Sequence, residues 1–157
     1  MTNYIRKKIF EISGVGIISI IILLIAYFTL KYRFLTAPVI FMMGFIPVVG
    51  AVLCKLDLKR LIPDFIFGAL DTGLLIIPAI IGGKIFGVLG AIVGGAVGDS
   101  ITDGIAGFFE GSIAEWLRSK GIEESRLPLS SAFGKMSGCL WGSGFILSAS
   151  AILGISL

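Results

Sequence analysis

Residues 85–110 read IFGVLGAIVGGAVGDSITDGIAGFFE, an apolar, glycine-laden segment that carries Asp99, Asp103 and Glu110. In water such a segment makes a poor helix, because glycine is conformationally costly and no polar face covers the apolar one. In a bilayer the same features acquire a use. Small residues let helices approach closely, and intramembrane acids mark functional positions. At about 100° per residue, Asp99, Asp103 and Glu110 fall at about 0°, 40° and 20°, one stripe along a helix. Gly87, Gly90, Gly94 and Gly98 fall at about −120°, 180°, −140° and −100°, a separate face with Gly90, Gly94 and Gly98 at its centre. One face packs and the other carries charge.

The rest of the chain agrees with this solvent. Of 157 residues, 56% are hydrophobic and 15% charged, with 22 glycines and no histidine, and the mean hydropathy is +1.03. A soluble domain is roughly 45–50% apolar and about 25% charged, so a soluble globular protein is excluded. Disorder is excluded by the same numbers. Thirteen basic against ten acidic residues leave a net charge of only +3, which on so apolar a chain orients helices and does not indicate nucleic acid.

A spanning helix needs about 20 predominantly apolar residues. Residues 12–30, 34–54 and 136–157 qualify without a charge, and residues 62–83 and 85–116 qualify while carrying acids. The expected fold is therefore an all-α integral membrane protein with five transmembrane helices. Residues 1–60 form an ordinary helical hairpin, and residues 61–157 form a three-helix, glycine-rich acidic core. The first span is too long, and its flanks too unlike a cleavage site, for a secretory signal, and no transit segment is expected. Arg6, Lys7, Lys8, Lys55, Lys59, Arg60, Arg118, Lys120, Arg126 and Lys135 fall on one side, against Lys31, Arg33 and Lys84 on the other. The positive-inside rule then puts the N-terminus in the cytoplasm and the C-terminus outside.

Asp64 and Asp71 are seven residues apart and share a helix face. Asp71 and Asp99 fall near the centres of their spans, and Asp64, Asp103 and Glu110 lead from that depth toward the cytoplasm. Lys135 stands at a depth to pair with Glu110 or Asp64. Carboxylates with the hydroxyls of Thr72 and Ser100 form an oxygen-only donor set, suited to Ca²⁺, Mg²⁺, Mn²⁺ or Na⁺. Lack of histidine and of paired cysteines argues against zinc or copper, and Cys54 and Cys139 read as buried free thiols. The competing structural reading is that the acids are protonated and hold helices together through Ser100, Thr72 or Thr102. Asp71-Thr72-Gly73 matches the aspartic-protease tripeptide but lacks its β-fold context, and the glycine spacing before Asp99 does not complete the intramembrane-protease pattern. No Gly-Lys-Ser/Thr follows the glycine run, so it is no phosphate loop. No enzyme is expected.

Three stretches in order resemble the transmembrane protein 65 family, mitochondrial inner-membrane proteins linked to sodium-dependent calcium extrusion. They are Phe65-Ile-Phe-Gly-Ala-Leu-Asp71, Gly98-Asp99-Ser100-Ile101-Thr102-Asp103, and Arg126-Leu127 followed by Phe133-Gly134-Lys135. The likeness covers residues 62–150. It implies a Na⁺/Ca²⁺ exchanger acting as a homodimer, with Asp71, Asp99 and Asp103 as ligands and Lys135 as a matched non-ligand. Animal members carry amides where this chain has Thr72 and Asp99, so the site here is more negative. A prokaryotic plasma membrane is the expected location. A vacuolar-iron-transporter-like core is a looser likeness. The alternative functions are a cation-binding scaffold or regulator of a partner transporter, and a Mg²⁺ or Mn²⁺ channel or transporter.

Overall fold

The computed structural model describes residues 2–32, 35–119 and 127–155. Its elements are α1 (Thr2–Lys31), α2 (Thr36–Met43), α3 (Phe45–Leu53), a 3₁₀ turn (Leu58–Leu61), α4 (Ile62–Ser119) and α5 (Pro128–Ile152). Helix makes up 92% of the described residues, with no strand among them. Tyr4–Lys31, Thr36–Leu53 and Leu58–Phe109 are long and apolar enough to cross a membrane. Serines and glycines dilute the apolar content of α5, which is not among these three.

The distribution of side chains is that of a membrane protein. The buried cluster is small, comprising Ile18, Ala51, Leu61, Leu129 and Phe133, where α1, α3, the 3₁₀ turn and the start of α5 meet. Elsewhere large apolar residues face outward on every helix, among them Leu23, Val49, Leu70, Ile92 and Phe145. In water that exposure would be a liability; against acyl chains it requires nothing further. Backbone polar groups are closed within the helices, the arrangement hydrocarbon demands.

α4 is two helices joined by one residue. Gly87 has φ 66° and ψ −150°, a region reserved for glycine, and there the chain reverses. The arms 62–86 and 88–119 then run antiparallel. A methyl at Gly82 would meet the Gly90 carbonyl, one at Gly94 would meet the Pro78 carbonyl, and one at Gly98 would lie 2.7 Å from Pro78 Cγ and 3.1 Å from Leu75 Cα. The Gly90-Gly94-Gly98 face thus packs within the chain, against the first arm.

α5 lies parallel to that first arm, again through glycine. Gly134, Gly138 and Gly142 meet the carbonyls of Leu61, Phe65 and Ala69 in turn, and Gly68 reciprocates against the Lys135 carbonyl. At the other side of α5, Trp141 packs among Phe41, Phe45 and Phe65, with ring centroids 5.2, 4.9 and 5.2 Å away. Its indole lies against Gly44, the residue that divides α2 from α3 and leaves no room there for a side chain. The Gly44 carbonyl accepts a hydrogen bond from the Ser137 hydroxyl at 2.6 Å.

Several boundaries differ from expectation. The span expected over 34–54 is interrupted at Gly44, where the backbone keeps helical angles of φ −60° and ψ −19° but Pro47 has no N–H to donate to the preceding turn. The helix expected from residue 136 begins at Pro128 instead. Proline is at home in a first helical turn, and Lys135, read as a span edge, is an ordinary helical residue on the exposed surface. The helix expected over 12–30 extends through Thr2–Lys31, with Lys8 and Glu11 paired at 2.9 Å one turn apart.

Two substitutions separate backbone strain from crowding. Gly87→Ala meets no atom within 4 Å, so its cost is conformational, about 1–3 kcal/mol. Gly138→Leu drives a side chain into the Phe65 carbonyl and should cost at least the roughly 1–3 kcal/mol of an overpacked core. Gly104→Leu, in open space, should be near neutral. Reversible unfolding in mixed micelles measures all three.

Candidate metal centre

Three carboxylates converge across the hairpin. One oxygen from each of Asp71, Asp99 and Asp103 lies within 4.8 Å of the others. Asp71 comes from the first arm and is half-buried. Asp99 and Asp103 come from the second arm and are exposed on the outside of the chain. They are four residues apart, so helical geometry alone stacks them on one face. Asp71 reaches them because Gly98, one residue from Asp99, lets the second arm rest on Leu75 and Pro78. Oxygens within 4.8 Å of one another can share one cation once the side chains draw in to a Ca²⁺–O distance of about 2.4 Å.

The local electrostatics are unfinished. Asp71 Oδ1 is buried and accepts no hydrogen bond among the described residues. An uncompensated buried acceptor costs about 1–3 kcal/mol, and more when charged. Three carboxylates this close repel one another strongly in a medium of low dielectric. Protons or a cation relieve both penalties. Three carboxylates supply three to six oxygens, and a Ca²⁺ ion takes six to eight, so water or further protein oxygens would complete the shell.

The other expected donors are differently engaged. The Ser100 hydroxyl donates to the Ala96 carbonyl at 3.0 Å. Thr72 lies beside the Cys139 thiol of α5. Thr102, buried next to the triad, donates to the Asp99 carbonyl at 3.1 Å and so braces the backbone that carries Asp99. Asp64 is buried at the opposite end of a cavity of about 400 Å³ that also touches Asp71 and Thr102. It accepts a hydrogen bond from the Ser131 hydroxyl at 2.5 Å, and it stands outside the triad. The Glu110 side chain lies outside the described residues. Lys135 holds its ammonium 4.5 Å from the centroid of the Phe67 ring, and its expected pairing with Glu110 falls outside the described residues.

Two groups escaped the sequence reading. Gly134, Gly138 and Gly142 repeat at the same four-residue spacing as the Gly90 series, and that spacing was a readable signal. Phe67 and Phe109 line the cavity beside the acids, and no sequence pattern distinguishes them from lipid-facing aromatics. Among known proteins, no family model, no curated protein and no solved structure matches the chain.

The triad depends on helix approach as much as on its acids. Gly98→Val leaves every carboxylate in place but pushes the second arm off Leu75 and Pro78. Calcium affinity, measured by calorimetry on the full chain, should fall roughly tenfold, about 1.4 kcal/mol.

Proposed function

We propose that the chain is a secondary cation transporter that exchanges Na⁺ for Ca²⁺. The observation that carries this reading is the convergence of Asp71, Asp99 and Asp103 within 4.8 Å on an apolar helical hairpin. Acids near the centre of a bilayer cost roughly 2.5–3.5 kcal/mol each on insertion scales and mark ion pathways. Oxygen-only ligands favour hard cations over zinc or copper. Both ions compete for the same carboxylates, so loading one disfavours the other, which is the coupling an exchanger needs. The likeness of residues 62–150 to the transmembrane protein 65 family supports the same activity.

In this reading the arms of α4 are separate passes, which with α1, the α2–α3 unit and α5 makes five transmembrane spans. The N-terminus is cytoplasmic, the C-terminus is outside, and the membrane is a prokaryotic plasma membrane. Asp64 and Glu110 line the cytoplasmic approach, with Thr72 and Ser100 as secondary oxygen donors. The protein acts as a homodimer. Exposed Asp99 and Asp103 support this, since a second copy would shield from lipid what a single chain leaves open.

Purified protein in liposomes should take up ⁴⁵Ca²⁺ against an opposing Na⁺ gradient, and Asp71→Asn or Asp99→Asn should reduce that uptake at least tenfold. Uptake indifferent to Na⁺ would make the protein a channel. Calcium binding with no uptake would make it a regulator of another transporter. Uptake that survives both substitutions would refute the carboxylate site.

A further inference from the structure

The cavity beside the triad has a composition that a bare metal ion does not explain. Its volume of about 400 Å³ falls within the roughly 300–1,000 Å³ of small-molecule sites. Leu70, Phe67, Ala106 and Phe109 contribute apolar wall, while Asp71, Thr102 and, at the far end, Asp64 held by the Ser131 hydroxyl are polar members of the same lining. A lipid tail would fill the apolar volume and leave the Asp71 charge uncompensated. An inorganic cation would compensate the charge and leave the apolar volume unfilled. The Phe67 ring already takes an ammonium group on its face, that of Lys135 at 4.5 Å.

We propose that this cavity binds an amphipathic organic ammonium ion, with its charged head against Asp71 and its hydrocarbon or aryl body along Leu70, Phe67 and Phe109. The head donates hydrogen bonds to a carboxylate whose Oδ1 has no partner among the described residues. The body covers an apolar wall that a metal ion alone leaves unfilled. Because the head and a metal ion draw on the same carboxylate, each excludes the other. The site shares Asp71 with the cation centre but rests on the cavity, and it holds whether or not the chain moves calcium.

The test uses the full chain in nanodiscs of zwitterionic lipid, with empty nanodiscs as the blank. The probes are 4-phenylbutylammonium and its neutral counterpart 4-phenylbutan-1-ol, followed by calorimetry. Saturable binding of the ammonium, at least tenfold tighter than the alcohol, is expected. Ala106→Phe should abolish it by filling the cavity. Phe109→Leu, at a largely exposed position unconnected with folding of the core, should weaken it several-fold. Asp71→Asn should remove the preference for the ammonium over the alcohol. Equal binding of the two probes would reduce the cavity to a lipid groove and overturn the proposal, as would unchanged binding in Phe109→Leu together with a folded Ala106→Phe. If Ca²⁺ does not bind at all while the ammonium behaves as described, the cation-centre reading falls and this one stands. If Ca²⁺ binds and the ammonium does not, the outcome is reversed.

Discussion

Between helices in hydrocarbon there is no hydrophobic drive, because lipid tails are as apolar as leucine, so association rests on how closely two backbones can approach. Glycine sets that approach here, twice and in different directions. One series, Gly90, Gly94 and Gly98, brings the second arm of α4 down on the first. The other, Gly134, Gly138 and Gly142, seats α5 along the first arm in parallel. The first arm is therefore clamped on two sides by glycine faces, and Asp71 rides on it. The carboxylate triad follows from backbone contact several residues away, with no hydrogen bond among the three acids needed to gather them.

That construction explains why polar groups are handled so unevenly. Asp64 is buried and secured by Ser131 from α5. Thr102 turns its hydroxyl to the Asp99 carbonyl, and Ser100, Ser143 and Ser148 bond back to carbonyls one turn earlier. These groups are satisfied within the protein, as hydrocarbon requires. Asp71 stands apart among the acids, with one carboxylate oxygen buried and without a hydrogen-bond partner among the described residues, a condition shared by the Ser130 hydroxyl and the Trp141 indole N–H. A carboxylate left unmet beside a cavity and two further acids costs stability, which is the usual signature of a working group.

Much of this was legible from residue spacing. Asp99 and Asp103 are one helical turn apart, and any helix stacks them. Asp71 was matched to Asp99 by depth in the membrane, a coarse measure that succeeds because the two arms are of similar length around a tight reversal. The reversal itself was less legible. Gly82, Gly83, Gly87 and Gly90 all offer a turn, and only backbone contact between 82 and 90 selects Gly87. Asp64 was readable as an acid on the right face, but its partner Ser131 lies 67 residues away, beyond any local pattern. The seat of the Trp141 ring against Gly44 was hidden in the same way, since the two residues lie on different helices.

The single-residue reversal at Gly87 also turns chain length into a ruler. With no loop to absorb slack, the distance along the backbone from Asp71 to Asp99 fixes their phase. One inserted or deleted residue in either arm rotates everything beyond it by about 100°, which would swing Asp99 and Asp103 away from Asp71 and lift the glycine face off its partner. Substitutions of lipid-facing residues between 72 and 98 therefore act locally, while a change in their number, like a bulky residue on the glycine face, acts on the whole hairpin. A protein built this way can vary its lipid-facing side chains freely, yet its length between the two arms is held as strictly as the identity of an active-site residue.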